Sequence, residues 1–217
     1  MTTVLTITET LKTLGQIEDK LGIGLSDDRS FFSEWLGMLP ELSEIDRDRL
    51  DRVRSNYLYQ STDGVLLEET IKMVVLSPLL ELAGFYQAPY KFRAEVSVEV
   101  EALGDRGEVL RGRIDALVLQ NRLWVVLIEA KKTTFDLEMA LPQTLAYMAA
   151  TPEPEQPLFG LITNGSSYLF VKLLDRQYGV SDLFATRSQH RNNLCEVLKI
   201  LRHLGNLVAE SGDRKTT

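Results

Sequence analysis

Gly112-Arg113-Ile114-Asp115-Ala116-Leu117-Val118-Leu119, followed after a short gap by Leu127-Ile128-Glu129-Ala130-Lys131-Lys132, places charged residues inside runs that otherwise read as buried strands. A buried strand offers charge no solvent, and an isolated ionised carboxylate in an apolar layer costs several kcal/mol even after relaxation. Two carboxylates and a lysine in such runs need a shared explanation. A bound divalent cation supplies one.

Strand periodicity gives the geometry. Residues two apart on a strand point the same way, about 6.6 Å along the chain, so Glu129 and Lys131 share a face while Ala130 points away, its carbonyl near the strand edge. In the preceding run Arg111, Arg113 and Asp115 share one face. If the two runs pair through a turn near Leu119 to Leu123, Asp115 can come opposite Glu129. Two carboxylates, a backbone carbonyl and waters suit magnesium, whose oxygen ligands form an octahedron usually completed by water and substrate phosphate.

The array of Asp115 and then Glu129-Ala130-Lys131 resembles the Asp and Glu-x-Lys core of the PD-(D/E)xK nuclease superfamily. Helix signals around Glu68-Glu69-Thr70-Ile71-Lys72 lead into Ser77-Pro78-Leu79-Leu80-Glu81-Leu82-Ala83-Gly84-Phe85. Gln143-Thr144-Leu145-Ala146-Tyr147 gives the Gln-x-x-x-Tyr motif found downstream of the lysine in the RecB-like branch, and Thr163-Asn164-Gly165 completes the order. Together they resemble the N-terminal nuclease domain of type I restriction enzyme R subunits and the short stand-alone proteins related to it. The resemblance spans roughly residues 65 to 173. Ile114 stands where the family name has proline, a substitution that many members share.

The resemblance implies roles residue by residue. Asp115 and Glu129, with the Ala130 carbonyl, would bind Mg²⁺ or Mn²⁺, and Lys131 would position or deprotonate the attacking water, a use helped by the readily shifted pKa of lysine. One helical glutamate reaches the metal site directly or through water. Glu68 is preferred because Leu67 and Ile71 fix the apolar face and put Glu69 nearer the far side, although a carboxylate at a helix N-terminus also serves as a cap. Gln143 and Tyr147, four apart on one helix face, take substrate-binding or site-ordering roles, with a tyrosine packed at the core edge as the ordinary alternative. Arg113 and Lys132 are candidate phosphate contacts.

With 217 residues, 44% hydrophobic and 25% charged, the composition is that of a globular protein. No apolar run approaches the roughly 20 residues of a membrane helix, and Met1-Thr2-Thr3-Val4 lacks a basic segment followed by an apolar one, so a cytoplasmic location is expected. Cys195 is the only cysteine, which excludes an internal disulfide. His190 and His203 are the only histidines, thirteen apart, a poor basis for zinc coordination or a Ser-His-Asp triad.

The net charge of −7 opposes nonspecific phosphate binding. Residues 1–70 carry 14 acidic and 7 basic residues of the totals of 31 and 24, which leaves 17 of each in residues 71–217. The acidity therefore belongs to the N-terminal third. Lys91, Arg93, Arg106, Arg111, Arg113, Arg122, Lys131 and Lys132 gather around the motif strands, with solvated strand-edge charge as the ordinary alternative and the preferred one for Arg106 and Arg122, near turns.

Along the chain, Thr8 to Leu21, Phe31 to Leu39 (capped by Asp28 or Ser30) and Glu41 to Tyr59 read as helices, the last with Leu42, Ile45, Leu50, Val53 and Tyr57 on or near one face. A fourth helix from Leu66, with Leu67, Ile71, Val74 and Val75 inward, should kink or restart at Pro78 and end near Gly84. Lys91 to Glu101, Val109 to Leu119 and Leu123 to Lys131 read as strands, Phe135 to Ala150 as a helix interrupted or begun at Pro142. Asn164-Gly165 then marks a hairpin between Leu158 to Thr163 and Tyr168 to Leu173. Leu194 to Val208 closes the chain as an amphipathic helix, a packing element with a possible homodimer face.

These readings describe an α/β protein with a restriction-endonuclease-like core, a mixed central β-sheet flanked by helices. The expected divisions are a helical N-terminal extension (1–64), the nuclease-like core (65–185) and a C-terminal helix (186–217). The expected activity is Mg²⁺-dependent hydrolysis of DNA phosphodiesters. The alternative is a nuclease-fold subunit that binds nucleic acid or a partner protein, the partner supplying motor or specificity functions, and cleaves little alone.

Overall fold

The computed structural model of the chain describes residues 3–90, 92–101, 108–119, 123–127, 137–150, 156–188 and 191–213. They run in the order β1 (Thr3–Thr6), α1 (Ile7–Thr10), α2 (Leu14–Leu21), β2 (Gly24–Leu25), α3 (Glu44–Gln60), α4 (Glu68–Ile71), α5 (Ser77–Leu82), β3 (Phe92–Glu101), β4 (Glu108–Leu119), β5 (Leu123–Leu127), α6 (Leu141–Ala149), β6 (Leu158–Thr163), β7 (Ser167–Leu174), β8 (Gln177–Val180), β9 (Phe184–Ala185) and α7 (Leu194–Asp213). The strands form one mixed sheet in the order β1-β4-β5-β6-β7-β8-β2, with β3 also on β4 and β9 on β7. The expected α/β architecture is present. The motif strands, the 92–101 strand and the 158–163 strand all belong to this sheet.

Helices cover both faces. Phe159, Leu161, Tyr168 and Phe170 pack with residues of α3, α5 and α7 such as Leu50, Leu79, Leu198 and Leu201. Leu158, Ile162, Leu169 and Val171 alternate to the other face, against Ile17, Leu145 and Met148 of α2 and α6. This period of two, apolar on both sides, is what a central strand needs when both of its faces are covered.

The N-terminal part departs from the expectation of a purely helical extension. Thr3–Thr6 pairs in parallel with Glu108–Arg111, and Gly24–Leu25 in parallel with Gln177–Tyr178, so this part contributes two strands to the sheet. The expected helix over Thr8 to Leu21 is broken at Thr13. Thr13 adopts an extended backbone, its Oγ1 accepts from Gln16 N, and Gln16 Oε1 accepts from Thr13 N, a reciprocal cap that restarts the helix at Leu14.

Phe31 to Leu39, expected as a helix, is a series of turns. Asp28 Oδ1 accepts from Ser30 N and Oγ at 2.8 and 2.7 Å, and the Phe31 carbonyl, which a helix would need, accepts from Lys172 Nζ at 2.6 Å instead. Phe31 and Phe32 lie over Gly179, where a Cβ would stand 3.1 Å from either. Phe31 and Phe32 thus cover the sheet at β8.

α3 matches its expected span but starts at Glu44. Ser43 and Asp46 form a capping box, and Ile45 is exposed because it lies in the first turn, off the buried stripe of Leu50, Val53 and Tyr57. Leu67 is also exposed rather than inward, since it is the extended residue before α4. Between α4 and α5, Lys72–Leu76 forms a single π turn closed by Ser77 N donating to Lys72 O. Pro78 has no N–H to donate, and the helix continues with it in the first turn of α5. Phe85 N to Leu80 O and Gly84 N to Glu81 O close a Schellman end, with Gly84 at φ 84°.

Candidate functional site

The two edges of β4 define the first part of the site. β3 runs antiparallel along one edge from Glu108's neighbour Val109 to Leu119. The opposite edge is shared: β1 takes it over Glu108–Arg111 and β5 takes it over Ala116–Leu119. β1 is parallel to β4 and β5 antiparallel, so their carboxyl ends approach one another along Gly112–Asp115, a stretch of β4 that neither described strand pairs.

Asp115 also marks an irregularity on the β3 side. Ala94 pairs with Leu117 but Val96 with Ile114, so Glu95 alone stands opposite the two residues Asp115 and Ala116. The extra residue makes a β-bulge in β4. Bulges locally re-aim side chains and bend the strand, and they occur disproportionately next to active sites.

The second part is built by β5 and β6, which run parallel with Leu127 beside Thr163. The Ala116–Val126 pairing sets Leu127, rather than the expected Glu129, at the level of Asp115; Glu129 follows Leu127 by two residues and lies outside the described residues. Beyond Thr163 the chain turns through Asn164–Ser166 into β7. Thr163 Oγ1 accepts from Gly165 N at 3.0 Å and donates to Ser167 O at 2.8 Å, while Asn164 Oδ1 accepts from Ser166 N, Ser166 Oγ and Ser167 N. The Gly165 carbonyl accepts from Tyr168 Oη at 3.1 Å and from Thr186 Oγ1 at 2.8 Å. Burial pushes the Tyr168 hydroxyl pKa upward, which keeps it a neutral donor.

Gly165 seats the glutamate helix on this hairpin. Its φ is +78°, and a Cβ there would stand 2.7 Å from Ile71 Cγ2 and 3.4 Å from Tyr57 Cε2. Only a glycine gives both the left-handed backbone and the close approach. Glu68 lies three residues before Ile71, on the same helical stripe. The hairpin therefore fixes the helix that carries Glu68 against the end of β6.

The two glutamates of α4 differ in exposure, although Leu67, one of the two residues expected to fix the apolar face, is itself exposed. The Glu68 side chain is 18% exposed and that of Glu69 80%. Lys72 Nζ lies 2.7 Å from Glu68 Oε1 and 3.1 Å from Glu69 Oε1. Glu68 Oε1 is covered from solvent and is held by the Lys72 ammonium. Desolvation pulls the Lys72 ammonium down, but the two carboxylates outweigh it and hold its pKa above the ordinary lysine range.

Gln143 and Tyr147 sit on α6, on the opposite face of the sheet from Glu68. Gln143 is half-buried and Tyr147 is 1% exposed, within the layer of Leu145 and Met148. That burial fits an ordering role for Tyr147 better than direct contact with a large substrate. For Asp115 and Arg113 the backbone is described; Glu129, Ala130, Lys131 and Lys132 lie outside the described residues. Among the described residues no three histidine, cysteine, aspartate or glutamate side chains gather as a metal cluster. None of the described helices is long and apolar enough to cross a membrane.

The hairpin was readable from Asn164-Gly165 as a turn alone. That its tip is the seat of the glutamate helix has no local signal, because the contact with Ile71 joins segments far apart in sequence.

The family described as type I restriction enzyme R protein N terminus matches residues 56–179, more than half of the chain. The match takes in the end of α3 and everything from α4 to β7. Among curated proteins nothing matches the chain.

Proposed function

Since the chain belongs to the family of the type I restriction enzyme R protein N terminus, we propose that it is a metal-dependent deoxyribonuclease that hydrolyses DNA phosphodiester bonds. The observation that supports the reading is the β-bulge that sets Asp115 and Ala116 opposite Glu95, together with the pairing of Leu127, two residues before Glu129 in sequence, beside Thr163, whose hairpin seats the helix of Glu68.

The donor set fits a hard divalent cation: Asp115, Glu129 and the Ala130 carbonyl are oxygen ligands of the kind Mg²⁺ or Mn²⁺ takes. Glu68, ion-paired with Lys72, is a further carboxylate at the margin. When bound, the ion would lower the pKa of a water and offset charge on the scissile phosphate. Lys131 is assigned to orient the attacking water and accept or relay its proton. Arg113 and Lys132 are assigned to phosphate oxygens, contacts that position the strand without reading its sequence. Gln143 and Tyr147 order the α6 side of the sheet.

A second reading, a nuclease-fold subunit that binds DNA or a partner protein without cutting, is favoured by the net charge of −7 and the concentration of that charge in residues 1–70. Incubating the purified chain with duplex, single-stranded and branched DNA in Mg²⁺ or Mn²⁺ separates the two. The nuclease reading requires cutting that Asp115→Ala and Lys131→Ala abolish while the fold and most DNA binding survive. Binding without cleavage on every substrate gives the second reading; neither binding nor cleavage points to a protein partner that supplies the DNA contacts.

A further inference from the structure

The side chain of Asn164 is held with its amide nitrogen outward. Its Oδ1 accepts three hydrogen bonds, from Ser166 N at 3.0 Å, Ser166 Oγ at 2.8 Å and Ser167 N at 2.9 Å. Two of these donors are backbone N–H groups, which need an acceptor, so the oxygen and nitrogen of this amide cannot be exchanged. With Oδ1 turned into the hairpin, the planar amide directs Nδ2 away from it. No described residue accepts from Nδ2, and the side chain is half-buried rather than covered.

This donor stands where the candidate site is assembled. Thr163 is beside Leu127, the residue two before Glu129 in sequence, so Asn164 leaves the sheet just past the last described residue of β5. Its neighbour Gly165 touches Ile71, three residues from Glu68. A rigid, neutral donor suits this corner: it can bind a phosphate oxygen without forming an ion pair with the acidic side chains that the site needs for its cation. Asparagine side chains are regular donors to nucleic-acid phosphates.

We propose that Asn164 Nδ2 donates to a phosphate oxygen of the bound DNA and is a substrate-binding residue of the site. The proposal rests on the nuclease reading. It explains why the hairpin uses Asn-Gly with three hydrogen bonds on one oxygen: the turn would be satisfied by a simpler acceptor, whereas the amide adds a fixed, outward donor.

Two substitutions isolate that donor. Asn164→Asp keeps an acceptor for the three turn hydrogen bonds and removes the donor; Asn164→Ser keeps a turn-forming acceptor and removes the amide without adding charge. Affinity of the full chain for fluorescein-labelled duplex DNA, the KM and kcat of metal-dependent cleavage, and the unfolding temperature would be measured for both variants and for Asp115→Ala. The expected result is a Kd and KM raised about tenfold or more by Asn164→Asp and several-fold by Asn164→Ser, with kcat changed far less and the unfolding temperature unchanged. If both variants bind and cut like wild type while Asp115→Ala is inactive, the Asn164 assignment is overturned and the nuclease reading stands. If lost binding tracks a lowered unfolding temperature, the role is structural and the assignment is again overturned. If wild type neither binds nor cuts DNA, the nuclease reading fails and takes this assignment with it.

Discussion

Leu127 lies beside Thr163 in parallel register, and this pairing brings the hairpin that carries Asn164 and Gly165 to the end of the strand that leads into Glu129. Because Gly165 also seats Ile71, the register of two strands decides where the helix of Glu68 stands. Sheet register, hairpin geometry and helix placement are therefore coupled. A change at one should be felt at the others.

The helix glutamates test that placement. Glu68 is covered and lies on the Ile71 stripe, whereas Glu69 is exposed. Glu68→Gln is expected to lower metal-dependent cleavage by about 10- to 100-fold, as loss of a residue supporting a metal site does, and Glu69→Gln by no more than about twofold. Steady-state cleavage at several Mg²⁺ concentrations checks this. Equal, small effects would assign Glu68 to helix capping and to its ion pair with Lys72.

Gly165→Ala should destabilise the protein by roughly 1–3 kcal/mol, because an L side chain resists φ of +78° and its Cβ would meet Ile71 at 2.7 Å. Urea unfolding measures it. An unchanged midpoint would show that Ile71 moves aside freely and that the hairpin does not fix the helix.

Much of this was legible in the sequence, and the exceptions share a cause. The turn signal Asn164-Gly165 between the apolar runs 158–163 and 168–173 announced β6 and β7, since a strand covered on both faces is apolar along its whole length. The stripe Leu50, Val53 and Tyr57 announced α3. β1 and β2 carried no such signal: four and two residues long, they are strands because Glu108–Arg111 and Gln177–Tyr178 offer free edges. Phe31 to Leu39 had helical spacing, but Lys172 and Gly179, distant in sequence, claim its carbonyl and its rings. In the candidate site, the greater cover of Glu68 than of Glu69 could be read from Ile71 but not from Leu67, which is exposed as the extended residue before α4. The bulge at Asp115 could not, because a bulge is a property of two paired strands.

Lys172 is the clip for that N-terminal strap. It is 8% exposed, pairs with Glu34 at 2.5 Å, and lies 4.9 Å from the Phe31 ring centroid. Glu34 Oε2 is covered and has no hydrogen bond, so removing the lysine leaves a carboxylate stranded. Lys172→Met should cost about 3 kcal/mol, and Glu34→Leu added to it should recover most of the loss. Chemical unfolding of the single and double variants decides; a double variant no more stable than Lys172→Met would refute the stranded-charge account.

Asp46 ties three helices together and makes stability depend on acid. Arg202 of α7 binds both Asp46 oxygens, at 3.0 and 2.8 Å, and donates to the Leu82 carbonyl at the end of α5. The guanidinium and Ser43 outweigh partial burial and hold the Asp46 carboxyl at about 2, against an ordinary 3.8. A lowered folded pKa gives stability that is complete above the unfolded value and is lost as pH falls through the folded one. With the side chain 15% exposed, that contribution is about 2 kcal/mol. Between pH 4 and 2 wild type should lose more stability than Asp46→Asn by about this amount. Parallel losses in urea unfolding would show that the pair contributes nothing.

The central claim is that Asp115 and Glu129 hold one divalent cation beside the Glu68 helix, and anomalous scattering from crystals grown with Mn²⁺ tests it most directly. The account predicts a single strong peak with oxygen ligands from both Asp115 and Glu129, lost in Asp115→Ala crystals. Manganese absent from this position at saturating concentration, or the two carboxylates on opposite faces of the sheet, would contradict it.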